Sequence, residues 1–282
     1  MKKIRIFFTK QDGYSLGFKD EAKKMGLKPY VYFYENFSFE DNKLVYVGRK
    51  DFPKFTSDDV VIFRRCGYEK VKQYFWVRLL ATLARDAGAR VINGDFMVNF
   101  PLHSGKLFQA AYFSDKNIPH VSTYRLNRKL KEAAFPMIIK KRYSAFGKDS
   151  HLVETNAEFL EVKSKIKNKN DYIIQKYSPL SRDIRVIILN NKFLKAVSRK
   201  VVIHEDRHVG VKVTGEVELS SEERKIVDQV LEVFDLDIAG LDLFTDENNK
   251  TWLGEMNFFP NFAGFTEKTG INMFQLILKM IV

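Results

Sequence analysis

The sequence has a single cysteine, Cys66, in 282 residues, which excludes intramolecular disulfides and cysteine-rich zinc sites. Long apolar runs are also missing, because the longest stretches, such as YVYFY and FQLILKMIV, are far too short to span a bilayer. The opening residues, MKKIRIFFTKQ, hold no apolar run of signal-peptide length. We therefore expect a cytoplasmic protein with no membrane partner.

The charge balance favours cations, with 47 Lys and Arg residues against 35 Asp and Glu and a net charge of +12. Such a surplus indicates an anionic partner: a nucleotide, an acidic peptide, a nucleic acid or an anionic membrane. A lysine-rich surface without a partner is the alternative. The 45% hydrophobic and 14% aromatic content is typical of a globular chain, and this length is enough for two or three lobes.

The first third of the chain alternates strand and helix patterns, which predicts a parallel sheet with helices on its faces. The strand patterns are KIRIFF, PYVYFY, DVVIFRR and ARVING, and the helix patterns are GFKDEAKKMG and QYFWVRLLATLARDAG. No G-x-G-x-x-G follows the first strand, so nothing supports a dinucleotide site there.

After residue 97 the pattern changes to hairpins mixed with helices, which predicts α+β lobes on antiparallel sheets. HSGKLFQAAYFSDKN is predicted as a helix capped by Ser104. The pair Asn190-Asn191 predicts a tight turn between two strands. The last segment, EKTGINMFQLILKMIV, is predicted as one helix.

An acidic hairpin carries the strongest chemical signal. If Thr251 pairs with Asp246, the same register places Glu255 opposite Asp242, and Asn257 shares the face of Glu255. Two opposed carboxylates repel unless a cation lies between them. Their oxygens and the Asn257 carbonyl suit Mg²⁺, whereas pairing with lysine or arginine is the alternative.

Several motifs taken in chain order resemble the ATP-grasp superfamily, and most closely its RimK-like carboxylate–amine ligases, the group that includes the ribosomal-protein glutamate ligase. They are Lys106, FPMIIKK, YIIQKY, DIRV, AVSRK, GLDLF and GEMNFFPNFAGFTEKTGIN. The resemblance implies an α/β and α+β chain, in which an ATP-grasp fold follows a small parallel-sheet (pre-ATP-grasp) domain. The implied domains are residues 1–96 and 97–282, the latter with a lid at about 121–178 and a metal-binding subdomain at about 179–282.

The resemblance also implies ATP and two Mg²⁺ ions as cofactors, with Mn²⁺ as a substitute. Asp242, Glu255 and Asn257 would hold the ions, and Glu255 would bridge them. Lys140 and Lys106 would contact the phosphates of ATP. The alternatives are that Lys141 faces the nucleotide in place of Lys140, and that Lys106 is a surface cation.

Two further segments resemble the family's nucleotide contacts. The loop RYSAFGKDS, with Ser144 and Gly147, would close over the phosphates, although the family's loops hold more glycines. A simple basic hairpin turn is the alternative. Gln175, Lys176 and Tyr177 match the hinge whose backbone pairs with adenine, where the family often has glutamate in place of Lys176.

Four charged residues complete the implied site. Asp183 would help to seat the nucleotide, while Arg185 and Arg199 would face the acyl phosphate and the substrate. Arg65, in FRRCG, would contact the substrate carboxylate. Arginine suits these roles because its planar fork binds carboxylate and phosphate through two hydrogen bonds, and a surface arginine is the alternative for each.

The implied reaction is ATP-dependent ligation of a carboxylate to an amine through an acyl phosphate. The carboxylate substrate would be an acidic peptide or protein tail, and the second substrate an amino acid or another amine. A small-molecule ATP-grasp kinase and a nucleic-acid-binding protein using KSKIKNKN are the alternatives, the second less favoured because its lysines lack interleaved aromatics. His204 and His208 are too isolated to predict zinc. Substrate identity and oligomeric state stay open.

Overall fold

The computed structural model describes most of the chain: residues 2–10, 16–48, 52, 54–64, 71–99, 103, 105–127, 135–143, 150–203 and 209–282. Contacts between residues divide it into two compact units. The first contains Met1–His103, Asn261–Thr266 and Ile271–Val282, and the second contains Ser104–Pro260 and Glu267–Gly270. The C-terminal residues thus group with the N-terminal unit, while the predicted domain boundary at residues 96 and 97 stays a prediction.

The first unit is built on a parallel sheet, as the alternating pattern predicts. Its strands, in the order β2-β1-β5-β6, are β1 (Lys3–Phe8), β2 (Tyr30–Phe33), β5 (Asp59–Phe63) and β6 (Arg90–Val91). Its helices include α1 (Leu16–Lys24), α2 (Val71–Asp86) and α3 (Gly94–Val98). A separate hairpin of β3 (Phe37–Glu40) and β4 (Lys43–Tyr46) was not predicted from the sequence.

A buried ion pair links neighbouring strands β1 and β5 of this sheet. The Arg5 Nε lies 2.7 Å from an Asp59 carboxylate oxygen, and both side chains are almost fully buried. The Arg5 guanidinium also lies 5.7 Å and 4.8 Å from the ring centroids of Phe52 and Phe55. The charge is therefore matched and hydrogen-bonded inside an aromatic environment, as burial of an ion requires.

The first part of the second unit has two helices and a four-stranded antiparallel sheet. The helices are α4 (Lys106–Asp115) and α5 (Asn156–Lys165). The strands, in the order β7-β10-β8-β9, are β7 (Thr123–Arg125), β8 (Met137–Lys141), β9 (Ser150–Val153) and β10 (Tyr172–Lys176). One face of the sheet carries an apolar core made of Leu126, Met137, Ile139, Val153, Phe159 and Ile174.

A five-stranded antiparallel sheet forms the rest of the second unit. Its strands, in the order β13-β12-β11-β14-β15, are β11 (Leu180–Leu189), β12 (Lys192–Ile203), β13 (Val209–Glu216), β14 (Ile238–Asp246) and β15 (Thr251–Asn257). The predicted turn between β11 and β12 is confirmed, since Asn190 and Asn191 have φ of 54° and 53°. Helix α6 (Ser221–Val233) begins with a capping box between Ser220 and Glu223.

Two helix predictions were wrong. The N-cap of α4 is Gly105 rather than Ser104. A Cβ at Gly105 would lie 3.0 Å from the Tyr143 ring, so glycine is favoured there. The C-terminal segment forms two helices, α7 (Ala263–Thr269) and α8 (Met273–Ile281), because Gly270 interrupts it with a φ of 70°. No helix in the described ranges is long and apolar enough to cross a membrane.

The hairpin of β14 and β15 contains a bulge. Glu255 lies opposite Asp242 as predicted, but Thr251 pairs with Thr245, so the predicted pairing with Asp246 was wrong by one residue. The register shifts between Asp242 and Leu243, where Gly254 is the extra residue of β15. The ring of Phe244 occupies the side-chain space of Gly254, because a Cβ there would lie 2.1 Å from the ring.

We predict that Gly254→Ala lowers the free energy of unfolding by about 2 kcal/mol or more, since the new methyl group would overlap the Phe244 ring. Gly215→Ala on β13 is the matched control, because its Cβ would meet no atom within 4 Å, and we expect a change within about 0.5 kcal/mol. Urea denaturation of both variants measures the difference. Equal effects at the two positions would refute the tight contact at the bulge.

Candidate active site

Three neighbouring strands place charged side chains side by side across the second unit's large sheet. In the strand register, Arg185 on β11 lies opposite Asp242 on β14, and Asp242 in turn lies opposite Glu255 on β15. Residues directly opposite one another in antiparallel strands share a face of the sheet. The sheet therefore carries a row of one cation and two anions on one face.

Asp242 is paired with two arginines. Arg185 donates to both of its carboxylate oxygens, with a distance of 3.0 Å for the Nη2 bond. Arg199 on β12 lies 3.1 Å from the same carboxylate through Nη1, and its Nε donates to Asp183 at 2.9 Å. Gly240 leaves room for this cluster, because a Cβ there would lie 3.0 Å from Cδ of Arg185.

Glu255 has a lysine partner from helix α4. The Lys106 Nζ lies 3.1 Å from the Glu255 carboxylate, and the Lys106 side chain is only 5% exposed. One turn later, Gln109 donates from Nε2 to the Met256 carbonyl at 2.8 Å and accepts from the Met256 N–H at 3.0 Å. Gln109 thereby fixes α4 against β15. Sequence reasoning missed it, although it lies three residues after Lys106 on the same helix face.

The ionisation of this cluster follows from its ion pairs. Burial acts to raise the pKa of Asp242, but Arg185 and Arg199 outweigh it and hold the pKa below its usual value. Burial raises the pKa of Asp183, against the opposing effect of Arg199. Burial also acts to lower the pKa of Arg199, yet Asp242 and Asp183 raise it above the ordinary arginine value. Asp242 therefore stays ionised between two permanent cations.

Lys140 and Lys141 lie in different surroundings on β8. Burial and the nearby Lys106 ammonium together lower the pKa of Lys140 to about 8, against the opposing effect of Glu255 and Asp242. The Nζ of Lys141 instead lies 6.0 Å from the ring centroid of Tyr172. Lys140 thus lies within the electrostatic field of the acidic pair, and its role at the nucleotide stays a prediction.

The proposed adenine hinge lies on β10 and just after it. Gln175 is buried and donates from Nε2 to the Thr123 hydroxyl at 2.7 Å. The N–H groups of Lys176 and Tyr177 donate to the carbonyls of Ser122 and Pro136. Both amides are thus already engaged within the protein, and an adenine role for this segment stays a prediction.

The oxygen donors fit a hard divalent cation in type. Asp242 and Glu255 lie opposite each other, and Asn257 lies two residues beyond Glu255, opposite Gly240. Within the described ranges no three His, Cys, Asp or Glu side chains cluster as a metal site. The set on this hairpin differs from such a cluster, since it has two carboxylates and an amide. A divalent ion bound here would replace Arg185 as the partner of Asp242 or Lys106 as the partner of Glu255.

Three residues predicted for the site, Arg65, Ser144 and Gly147, lie outside the described residues, as do His204 and His208, for which no zinc site was predicted. The described residues of the predicted site that come together in direct ion pairs are Lys106, Asp183, Arg185, Arg199, Asp242 and Glu255. They come from α4 and from four adjacent strands. The sequence therefore shows them as separate motifs, and only the fold brings them together.

Comparison with known protein families and relatives gives a consistent picture. The model of the RimK-like ATP-grasp domain matches residues 120–281, more than half of the chain. A probable α-L-glutamate ligase of Parasynechococcus marenigrum is 26% identical over 152 residues, which cover 52% of this chain but only 32% of that protein. The glutamate–LysW ligase ArgX of Sulfurisphaera tokodaii is 23% identical over 211 residues, covering 69% of this chain and 73% of the relative.

Solved structures show the same fold. The ATP-grasp ligase PsnB, complexed with a minimal precursor, is 18% identical with a TM-score of 0.67, covering 100% of this chain and 99% of that one. The D-cycloserine synthetase DcsG has 14% identity and a TM-score of 0.67, covering 99% of this chain and 98% of the other. These similarities show the fold, and the match over residues 120–281 shows that the chain belongs to the RimK-like ATP-grasp family.

Proposed function

We propose that this protein is an ATP-dependent ligase that joins a carboxylate to an amine with release of ADP and phosphate. The observation that carries the proposal is the row of Arg185, Asp242 and Glu255, extended by Lys106 and Arg199, in a RimK-like ATP-grasp chain. Such a set suits a reaction in which several anions must be held close together.

The acidic pair is the proposed site of two magnesium ions that accompany ATP. Asp242, Glu255 and Asn257, which lie together on the hairpin, would supply oxygen ligands, and Glu255 would contact both ions. When bound, magnesium neutralises phosphate charge during transfer. Lys106 and Lys140 are the proposed phosphate contacts from the protein. Lys106 now pairs with Glu255 and would be released to phosphate when an ion takes that carboxylate.

The two site arginines would act on the substrate carboxylate and on the acyl phosphate formed from it. In the first step, a carboxylate oxygen attacks the γ-phosphorus of ATP, and the bond to the ADP oxygen breaks. In the second, the amine attacks the acyl carbon, loses a proton and displaces phosphate. Arg185 and Arg199 are always charged and can hold both the carboxylate and the transferred phosphoryl group. No side-chain nucleophile is required.

The proposed carboxylate substrate is an acidic peptide or protein tail, and the proposed amine is an amino acid. Support comes from the net charge of +12, which attracts anionic substrates. It also comes from the relatives, since ArgX is named a glutamate–LysW ligase and a solved structure of PsnB is a complex with a precursor peptide.

The lysine-rich segment KSKIKNKN, whose first residues end α5, gives less support to nucleic-acid binding. Lys163 lies 5.1 Å from the ring centroid of Phe159, and Lys165 lies 2.7 Å from the Glu161 carboxylate. These lysines are thus engaged on their own helix, as in a solvated helix face. Binding of RNA or DNA through these lysines would weaken steeply as the salt concentration rises. The absence of such salt-sensitive affinity would agree with this interpretation.

We predict that Glu255→Ala lowers ADP release in the presence of MgATP, a carboxylate and an amine by about a hundredfold or more. The reason is that the variant loses the proposed bridging ligand, a contribution of several kcal/mol to charge stabilisation. A panel of amino acids and acidic peptides serves as substrates, and product mass identifies the bond formed. A stable phosphoester instead of an amide would identify a kinase.

The matched control is Glu247→Ala, which removes an exposed carboxylate from the turn of the same hairpin and should leave ADP release within twofold of wild type. A wild-type rate for Glu255→Ala would contradict the proposed metal role. Wild-type protein that releases no ADP with any substrate of the panel would contradict the ligase proposal.

A second prediction concerns pH. Because the pKa of Lys140 is lowered to about 8, its charged form is present below pH 8 and is lost as pH rises. Phosphate binding favours the charged form and raises the pKa again, so MgATP binding at pH 8.5 should take up protons. Titration calorimetry in buffers of different ionisation enthalpy measures this uptake.

The control variant is Lys140→Arg, whose side chain stays charged over this range, so proton uptake should disappear while MgATP still binds. Equal proton uptake in wild type and variant would show that another group titrates. An MgATP affinity of the wild type that does not fall between pH 8 and pH 9.5 would contradict a phosphate contact by Lys140.

A further inference from the structure

Arg142 is a cation that the proposed mechanism has not used. It follows the last residue of β8, and its backbone is fixed on both sides. Its N–H donates to the Asp171 carbonyl at 2.8 Å, and its carbonyl accepts from the N–H of Lys106 at 3.3 Å. Arg142 therefore joins the end of β8 directly to the start of α4, where Lys106 contacts Glu255.

The side chain of Arg142 has an unmet hydrogen-bonding requirement. Its guanidinium carbon lies 5.5 Å from the ring centroid of Tyr143, and that ring packs against Gly105. Within the described part of the chain, its Nε is buried and has no hydrogen-bond partner. A buried donor without an acceptor is costly, and a charged one more so. An incoming anion would remove that cost.

Arg142 lies in the bend that directly follows β8. On the strand itself, successive side chains alternate, so Lys140 faces one side of β8. Lys141 and Ile139 belong to the other side, where Ile139 enters the apolar core and Lys141 lies near Tyr172. Arg142 thus follows the strand end that carries Lys140, which is within the field of Asp242 and Glu255, and its backbone is bonded to Lys106, which pairs with Glu255.

We infer that Arg142 binds the phosphate chain of ATP and positions it beside Lys106 and Lys140; this rests on the proposed function. The loop sequence gives the physical reason. Backbone N–H groups approach phosphate most closely in a loop that contains several glycines. RYSAFGKDS contains only one, Gly147. A guanidinium at the start of the loop supplies charged donors in a planar fork instead.

The test measures nucleotide affinity by calorimetry, independently of turnover. Arg142→Ala should weaken binding of MgATP and MgADP by about tenfold or more, the value of a charge-assisted hydrogen bond, and leave adenosine within twofold. Lys141→Ala, the neighbour on the other side of β8, should leave all three ligands within twofold. Arg142→Lys should restore part of the loss, because it keeps the charge without the fork.

Melting temperatures and circular dichroism establish that each variant is folded, and Arg142→Gln replaces Arg142→Ala if the latter is not. Unchanged MgATP affinity in a folded Arg142 variant would overturn the inference, as would equal losses for ATP and adenosine. An increased KM for the carboxylate substrate with unchanged ATP affinity would also overturn it. If the wild type bound no MgATP, the proposed function itself would fail, which is a distinguishable result.

Discussion

The opposition of two carboxylates across one pair of strands is the constraint on which the site depends. Asp242 and Glu255 face each other on β14 and β15, and neither can be buried there without a cation. In this structure Arg185, Arg199 and Lys106 fill that requirement. The same need for positive charge makes the pair suited to magnesium, and in the proposed function the protein cations would become available to phosphate when ions bind.

The surrounding fold serves to keep this opposition in place. The bulge at Gly254, under the ring of Phe244, sets the register that brings Glu255 opposite Asp242. Gln109 bonds α4 to the backbone of Met256, next to Glu255, and so fixes the position of Lys106 relative to Glu255. Register and helix position are therefore determined by uncharged contacts close to the charged ones.

Part of this arrangement follows from sequence alone. The parallel first sheet, the Asn190 turn and the pairing of Asp242 with Glu255 were predicted from alternation and turn chemistry. The pairing of Thr251 was wrong by one residue, since a bulge depends on ring packing by Phe244 that no local pattern reveals. Gln109 was missed for a similar reason, because its partner lies 147 residues away.

A crystal structure with ATP and manganese, read by anomalous scattering, tests the central claim most directly. The account predicts metal density between Asp242 and Glu255, with the Asn257 carbonyl as a further ligand and Lys106 turned toward phosphate. Nucleotide bound elsewhere, with Glu255 still paired to Lys106 and Asp242 still held by both arginines without a metal ion, would contradict it.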